Sequence, residues 1–126
     1  MILTTIVLLV LALFLIQIFL QETSRFGFDL SGIVGNRDNL PGMTVVAARL
    51  DRAKNNMLES LPLFLGLAML AFVNGGDPNN AASGAMVFLI ARALYVPAYV
   101  SGIPLLRSLI WLVGNIGLLM MALMLF

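Results

Sequence analysis

The sequence predicts an all-α integral membrane protein folded as a four-helix bundle. Hydrophobic residues make up 61% of the 126 and charged residues 10%, against about 25% charge in a soluble domain. Mean hydropathy is +1.05. A surface this apolar belongs in lipid rather than water. The apolar residues also gather into four stretches, at about residues 2–20, 44–73, 81–100 and 105–126. Each is able to cross a hydrocarbon core, which takes roughly 20 helical residues. Lipid offers the backbone no hydrogen-bond partner, so each stretch must be a helix. The alternating segments of about ten residues that a membrane barrel needs are missing. One domain, residues 1–126, accounts for the whole chain.

The first stretch lacks a basic leader, and Gln21-Glu22-Thr23 follows it in place of a small-residue cleavage site. It reads as a retained helix, almost wholly apolar, that serves packing and lipid contact. A polar loop over residues 21–44 comes next, with Gly27, Gly32, Gly35, Pro41 and Gly42 as its breakers. The second stretch has a polar opening and an apolar end. Its roughly 30 residues make a helix about 45 Å long, against a core of about 30 Å, so the turns carrying Arg49, Asp51, Arg52 and Lys54 reach the interface. Asn74-Gly75-Gly76-Asp77-Pro78 is a tight turn into the third helix. Ser101-Gly102-Ile103-Pro104 is a short link to the fourth.

The basic residues set the orientation. Arg25 and Arg37 lie in the first loop, Arg49, Arg52 and Lys54 open the second helix, Arg92 falls late in the third, and Arg107 starts the fourth. All belong to one side of the bilayer or to the half-membrane next to it. That side, with loop 21–44, is expected to be cytoplasmic, and both termini lie opposite.

Composition also narrows the chemistry. The chain has no Cys and no His, which removes thiolate nucleophiles, disulfides, His-based triads and the common zinc sites. The scattered acidic residues form no metal constellation. A net charge of +1 without a basic, aromatic-rich patch gives no reason to expect nucleic acid.

Polar stripes inside the spans are the most informative feature, because ionisable residues there face a bundle interior or a wet cavity. At 100° per residue Arg52, Asn56 and Glu59 fall within about 60° of one another on the second helix, with Arg49 near the same face. Such a stripe is either a ladder locking helices together or a donor fork for a carboxylate beside an acceptor for an ammonium or amide. Arg92, Tyr95 and Tyr99 make a second stripe on the third helix. Arg92 needs a partner there, and Glu59 is the best available within the bundle. Arg107 stands at the start of the fourth helix, where the helix dipole repels a cation unless an anion binds; the alternative is a side chain reaching up to the interface. Trp111 fits an interfacial anchor. Asn115, Gly114 and Gly117 suit close helix packing. Together the stripes fit a small, polar, net-anionic ligand that carries carboxylates.

These residues also carry a family resemblance. Arg52-Ala53-Lys54-Asn55-Asn56-Met57-Leu58-Glu59-Ser60-Leu61-Pro62 resembles the second-helix signature of the MAPEG family, the membrane-associated proteins in eicosanoid and glutathione metabolism. Arg92-Ala93-Leu94-Tyr95-Val96-Pro97-Ala98-Tyr99 is similar to the family's third-helix pattern, and Pro104-Leu105-Leu106-Arg107-Ser108 to its fourth. The resemblance covers residues 1–126 and implies a left-handed four-helix bundle that assembles as a homotrimer. It further implies glutathione as co-substrate, held between subunits by Arg52, Asn56, Glu59, Arg92, Tyr95 and Tyr99, with Arg107 and Ser108 at the sulfur. A lipophilic electrophile would arrive from the bilayer. Stabilising a thiolate by two pKa units takes about 2.7 kcal/mol, within reach of a cation at a helix N-terminus. The chain departs from some members at Tyr95, where they carry His, at Trp111, where they carry Tyr, and at Asn55, where they carry a basic residue. It resembles most the short bacterial branch, which implies an inner-membrane location.

Two further function classes follow from the same residues. One is a non-catalytic scaffold or lipid-binding trimer in which the stripes serve as glue. The other is a small multidrug exporter, which fits less well because Glu59 sits among Arg and Asn in the second helix.

Overall fold

The computed structural model describes residues 2–25 and 45–126. Gly27, Gly32, Gly35, Arg37, Pro41 and Gly42 of the expected loop, the expected helix start at Thr44 and the side chain of Arg25 lie outside the described residues. Among the described residues, four α-helices run in order: α1 (Leu3–Arg25), α2 (Val45–Val73), α3 (Ala82–Ser101) and α4 (Pro104–Leu123). Each is long and apolar enough to cross a membrane.

Helix α1 continues to Arg25 rather than stopping near residue 20. Gln21 and Glu22 are good helix formers that hydropathy does not register, and Gln21 is buried against the bundle. The inward stripe of α1 is Leu3, Ile6, Val10, Gln17 and Gln21, at helical spacing. Almost wholly apolar as expected up to residue 20, α1 nevertheless turns two amides, Gln17 and Gln21, inward in its second half.

Helix α2 buries Ala47, Leu50, Ala53, Met57, Leu61, Phe64, Ala68 and Ala71, an unbroken inward stripe. Pro62 sits inside this helix, where it removes one backbone donor. Two residues earlier the Ser60 hydroxyl donates to the Met57 carbonyl at 3.0 Å. Phe64 stacks on Phe88 of α3 with ring centroids 4.7 Å apart, which ties the two helices at mid-span. The inward faces of α2 and α3 are built largely from Ala and Gly, the small residues that let helices in lipid approach closely.

The α2–α3 connection is anchored rather than loose. Asp77 accepts from the Asn79 backbone N–H at 3.0 Å, and Pro78 opens a single 3₁₀ turn, Pro78–Ala81. The Asn79 carboxamide oxygen in turn accepts from the Leu3 backbone N–H at 3.0 Å, capping α1. At the same end Asn74 donates to the Leu125 carbonyl at 3.2 Å. Both termini thus gather at the end of the bundle that carries this turn.

The opposite end carries the α3–α4 turn. Gly102 closes α3 in the left-handed region at φ 78°, and its N–H donates to the Tyr99 carbonyl. Pro104 opens α4, with Ile103 at the cap position contributing no side-chain acceptor. Helices α3 and α4 share the most extensive interface of the fold.

Candidate functional site

The polar stripes of three helices meet at the end of the bundle that holds the α3–α4 turn. A cleft of about 280 Å³ opens there, lined by Arg52 and Asn56 of α2, Tyr95 and Tyr99 of α3, and Arg107, Ser108 and Trp111 of α4. Helical periodicity supplies each set: positions three, four or seven apart share a face. The short α3–α4 turn then returns α4 with its first two turns beside Tyr95 and Tyr99.

The aromatic rings organise the cations. The Arg107 guanidinium carbon lies 4.7 Å from the Tyr99 ring centroid, and that of Arg52 lies 5.9 Å from the same centroid. Tyr99 meets Tyr95 edge-on, with centroids 5.6 Å apart. Arg92 sits over Tyr95 at 4.3 Å. Cation–π contact of this kind holds a guanidinium in place without neutralising it. Among the described residues, Lys54 with Asp51 makes the ion pair at this end, at 3.2 Å, and no carboxylate pairs with Arg52 or Arg107. The lining residues offer guanidinium, amide, phenol, hydroxyl and indole donors and no carboxylate, a wall suited to an anion.

Two of the expected site residues stand elsewhere. Arg92 is 2% exposed and lies behind the cleft wall, where it donates to the Asn56 side-chain oxygen at 2.9 Å. Its expected partner Glu59 is exposed one turn beyond Asn56 on α2. The pairing differs because Asn56 is the inward residue of the two, half-buried where α2 faces α3. Asn115 also behaves differently from a helix-bridging residue: it donates back to the Trp111 carbonyl of its own helix at 3.1 Å. Asn55 likewise stays on its own helix and donates to Asp51 at 3.4 Å.

Trp111, read from the sequence as an anchor and as the counterpart of a family Tyr, lines the cleft. Two features escaped the sequence. Arg49 donates to the Val100 carbonyl at 2.9 Å, which satisfies an orphan carbonyl at the α3 C-terminus with a favourable charge. It thereby fastens the start of α2 to the turn from which Arg107 rises. Gln17 donates to the Met57 sulfur at 3.3 Å, next to Asn56 in sequence. The signal for Gln17 was an amide inside an apolar span, which marks an inward face.

A family model described as the MAPEG family matches residues 1–126, the whole chain. No curated protein and no solved structure matches it.

Proposed function

Since the chain belongs to the MAPEG family across residues 1–126, we propose that it is a membrane-bound, glutathione-dependent transferase or peroxidase acting on lipophilic electrophiles. The observation that carries this reading is the convergence of Arg52 and Arg107 on the Tyr99 ring in a cleft without a carboxylate. Cations gathered without a carboxylate repel one another and attract an anion, and a bound dicarboxylate thiol relieves that repulsion. Arg52 and Asn56 take the carboxylates. Arg107 and Ser108, in the first turns of α4, take the sulfur, where the helix N-terminus adds its own partial charge.

In that arrangement the thiol gives its proton to water and the sulfur keeps the electron pair. The thiolate forms a carbon–sulfur bond with the electrophile, and the leaving group departs with its electrons. With a lipid hydroperoxide the oxygen–oxygen bond breaks instead, yielding the lipid alcohol and an oxidised sulfur. A second glutathione reduces that sulfur, giving the disulfide and water.

A cleft of about 280 Å³ is small beside the usual range for small-molecule sites, roughly 300–1,000 Å³, and exposed Glu59 stands just outside it. Both fit a homotrimer in which a neighbouring subunit closes the site and Glu59 receives the ligand's ammonium. The clustered basic residues support a cytoplasmic orientation for this end, with the termini on the other side, and the reading takes the membrane to be a bacterial inner membrane.

The direct test is calorimetry on the purified full-length protein in detergent. Heat of binding at millimolar glutathione is expected, and its absence overturns the reading. A second reading, a non-catalytic trimer, draws on the Arg92–Asn56 bond as helix glue. Under it Glu59→Gln dissociates the oligomer, whereas under the enzyme reading Glu59→Gln weakens glutathione binding and leaves the oligomer intact.

A further inference from the structure

Asn56 is the one lining residue that carries a carboxamide. Its carboxamide has an accepting oxygen and a donating NH₂ group of nearly the same shape. Facing a ligand, it welcomes a carboxylate with one end or an ammonium with the other. What it presents to the cleft depends on what holds its far side.

The far side is held by Arg92. A guanidinium has five donors, no acceptor, and no accessible neutral form. The group that meets it at 2.9 Å must therefore be the Asn56 oxygen. Arg92 itself has little freedom, being 2% exposed and stacked 4.3 Å from the Tyr95 ring. Its Nε and second terminal nitrogen are buried with no partner, so the bond to Asn56 is the hydrogen bond it makes among the described residues. With the oxygen committed inward, the NH₂ group is what remains for the cleft.

We infer that Arg92 is a positioning residue that fixes the polarity of Asn56, making it a donor and thereby selecting a carboxylate over an ammonium at that point of the cleft. This inference rests on the anion-binding reading above and adds the element that gives it direction. It also accounts for a buried charge that touches no ligand. Arg92 acts one residue removed, through the orientation of an amide.

Substitution of Asn56 separates this role from a structural one. Asn56→Asp keeps an oxygen for Arg92 and adds an ion pair, so the fold retains or gains thermal stability. It also removes the donor and puts negative charge on the cleft wall, so carboxylate binding falls by at least about tenfold. This change tests the donor that the cleft needs at Asn56, and the cycle that follows tests whether Arg92 supplies it through Asn56. The companion test is a double-mutant cycle of Asn56→Ala and Arg92→Met on the full-length protein. Arg92→Met alone weakens binding, and in the Asn56→Ala background it adds nothing further. Additive losses show that Arg92 acts on the ligand directly and overturn the inference.

Both glutathione and glutarate, a plain dicarboxylate, serve as probes. If the parent binds glutarate but not glutathione, and Asn56→Asp binds neither, the glutathione reading falls and the polarity inference stands. If the parent binds glutathione and Asn56→Asp binds it equally well, the inference falls and the function stands. If the parent binds neither probe, both fall.

Discussion

Gly84 of α3 and Gly117 of α4 occupy each other's side-chain space. A Cβ on Gly84 would lie 2.6 Å from the Gly117 carbonyl oxygen, and one on Gly117 would lie 2.7 Å from that of Gly84. Backbone meets backbone here, so neither helix can yield by rotating a side chain. Gly117→Ala is expected to destabilise by about 1–3 kcal/mol, the usual range for overpacking. Gly114→Ala is the control: its Cβ would sit 3.5 Å from the Ala91 methyl, an ordinary contact. There the better helix propensity of Ala, close to 1 kcal/mol, is expected to appear as a gain. Thermal unfolding in detergent reads both, and equal effects at the two positions would refute the close crossing.

Arg107 is partly exposed and stacks on Tyr99, so its removal leaves the core intact. Arg107→Ala is expected to retain its melting temperature while conjugation of a model electrophile slows by about a hundredfold, as when a stabilising donor is lost from a reacting anion. An unchanged turnover number would take Arg107 out of the mechanism.

The chain has a single tryptophan, and Trp111 lines the cleft. Intrinsic emission therefore reports on one place. Glutathione titration is expected to shift or quench it with a saturating curve that matches calorimetry. In Asn56→Asp the same curve needs about tenfold more ligand. Emission indifferent to saturating ligand would put the bound molecule elsewhere.

Gln17 is 3% exposed, and its side-chain oxygen is buried without a hydrogen-bond partner. An unsatisfied polar atom costs about 1–3 kcal/mol, and Leu has nearly the same bulk. Gln17→Leu is therefore expected to unfold at a higher temperature than the parent. A loss of several degrees would show that the amide oxygen has a partner in the assembled protein.

The spans were legible because a run of about 20 apolar residues rarely serves any purpose but crossing a bilayer. The shared faces of Arg52 with Asn56 and of Tyr95 with Tyr99 were legible because 100° per residue needs only counting, whereas Arg107 and Ser108, adjacent and 100° apart, came with the family pattern of the fourth helix. The partner of Arg92 was not. Periodicity places Asn56 and Glu59 on one face of α2 within about 60°, but which of them turns toward α3 depends on how the two helices roll against each other. That roll is set by Phe64 on Phe88 and by Ala and Gly contacts, which depend on volume and leave no mark in hydropathy. Arg49 escaped for a related reason, since its acceptor is a backbone carbonyl 51 residues away. The far end of α1 was lost because a helix leaving the membrane goes on being a helix after its residues turn polar.

The cap on α1 bears on how distant parts of the chain are joined. The Leu3 N–H finds its acceptor in Asn79, 76 residues later. The bond ties the start of α1 to the turn between α2 and α3, so a change at Asn79 is felt at the far end of the sequence. Loss of that acceptor leaves the Leu3 N–H to find another partner. One carboxamide thus joins two segments that are remote in the chain.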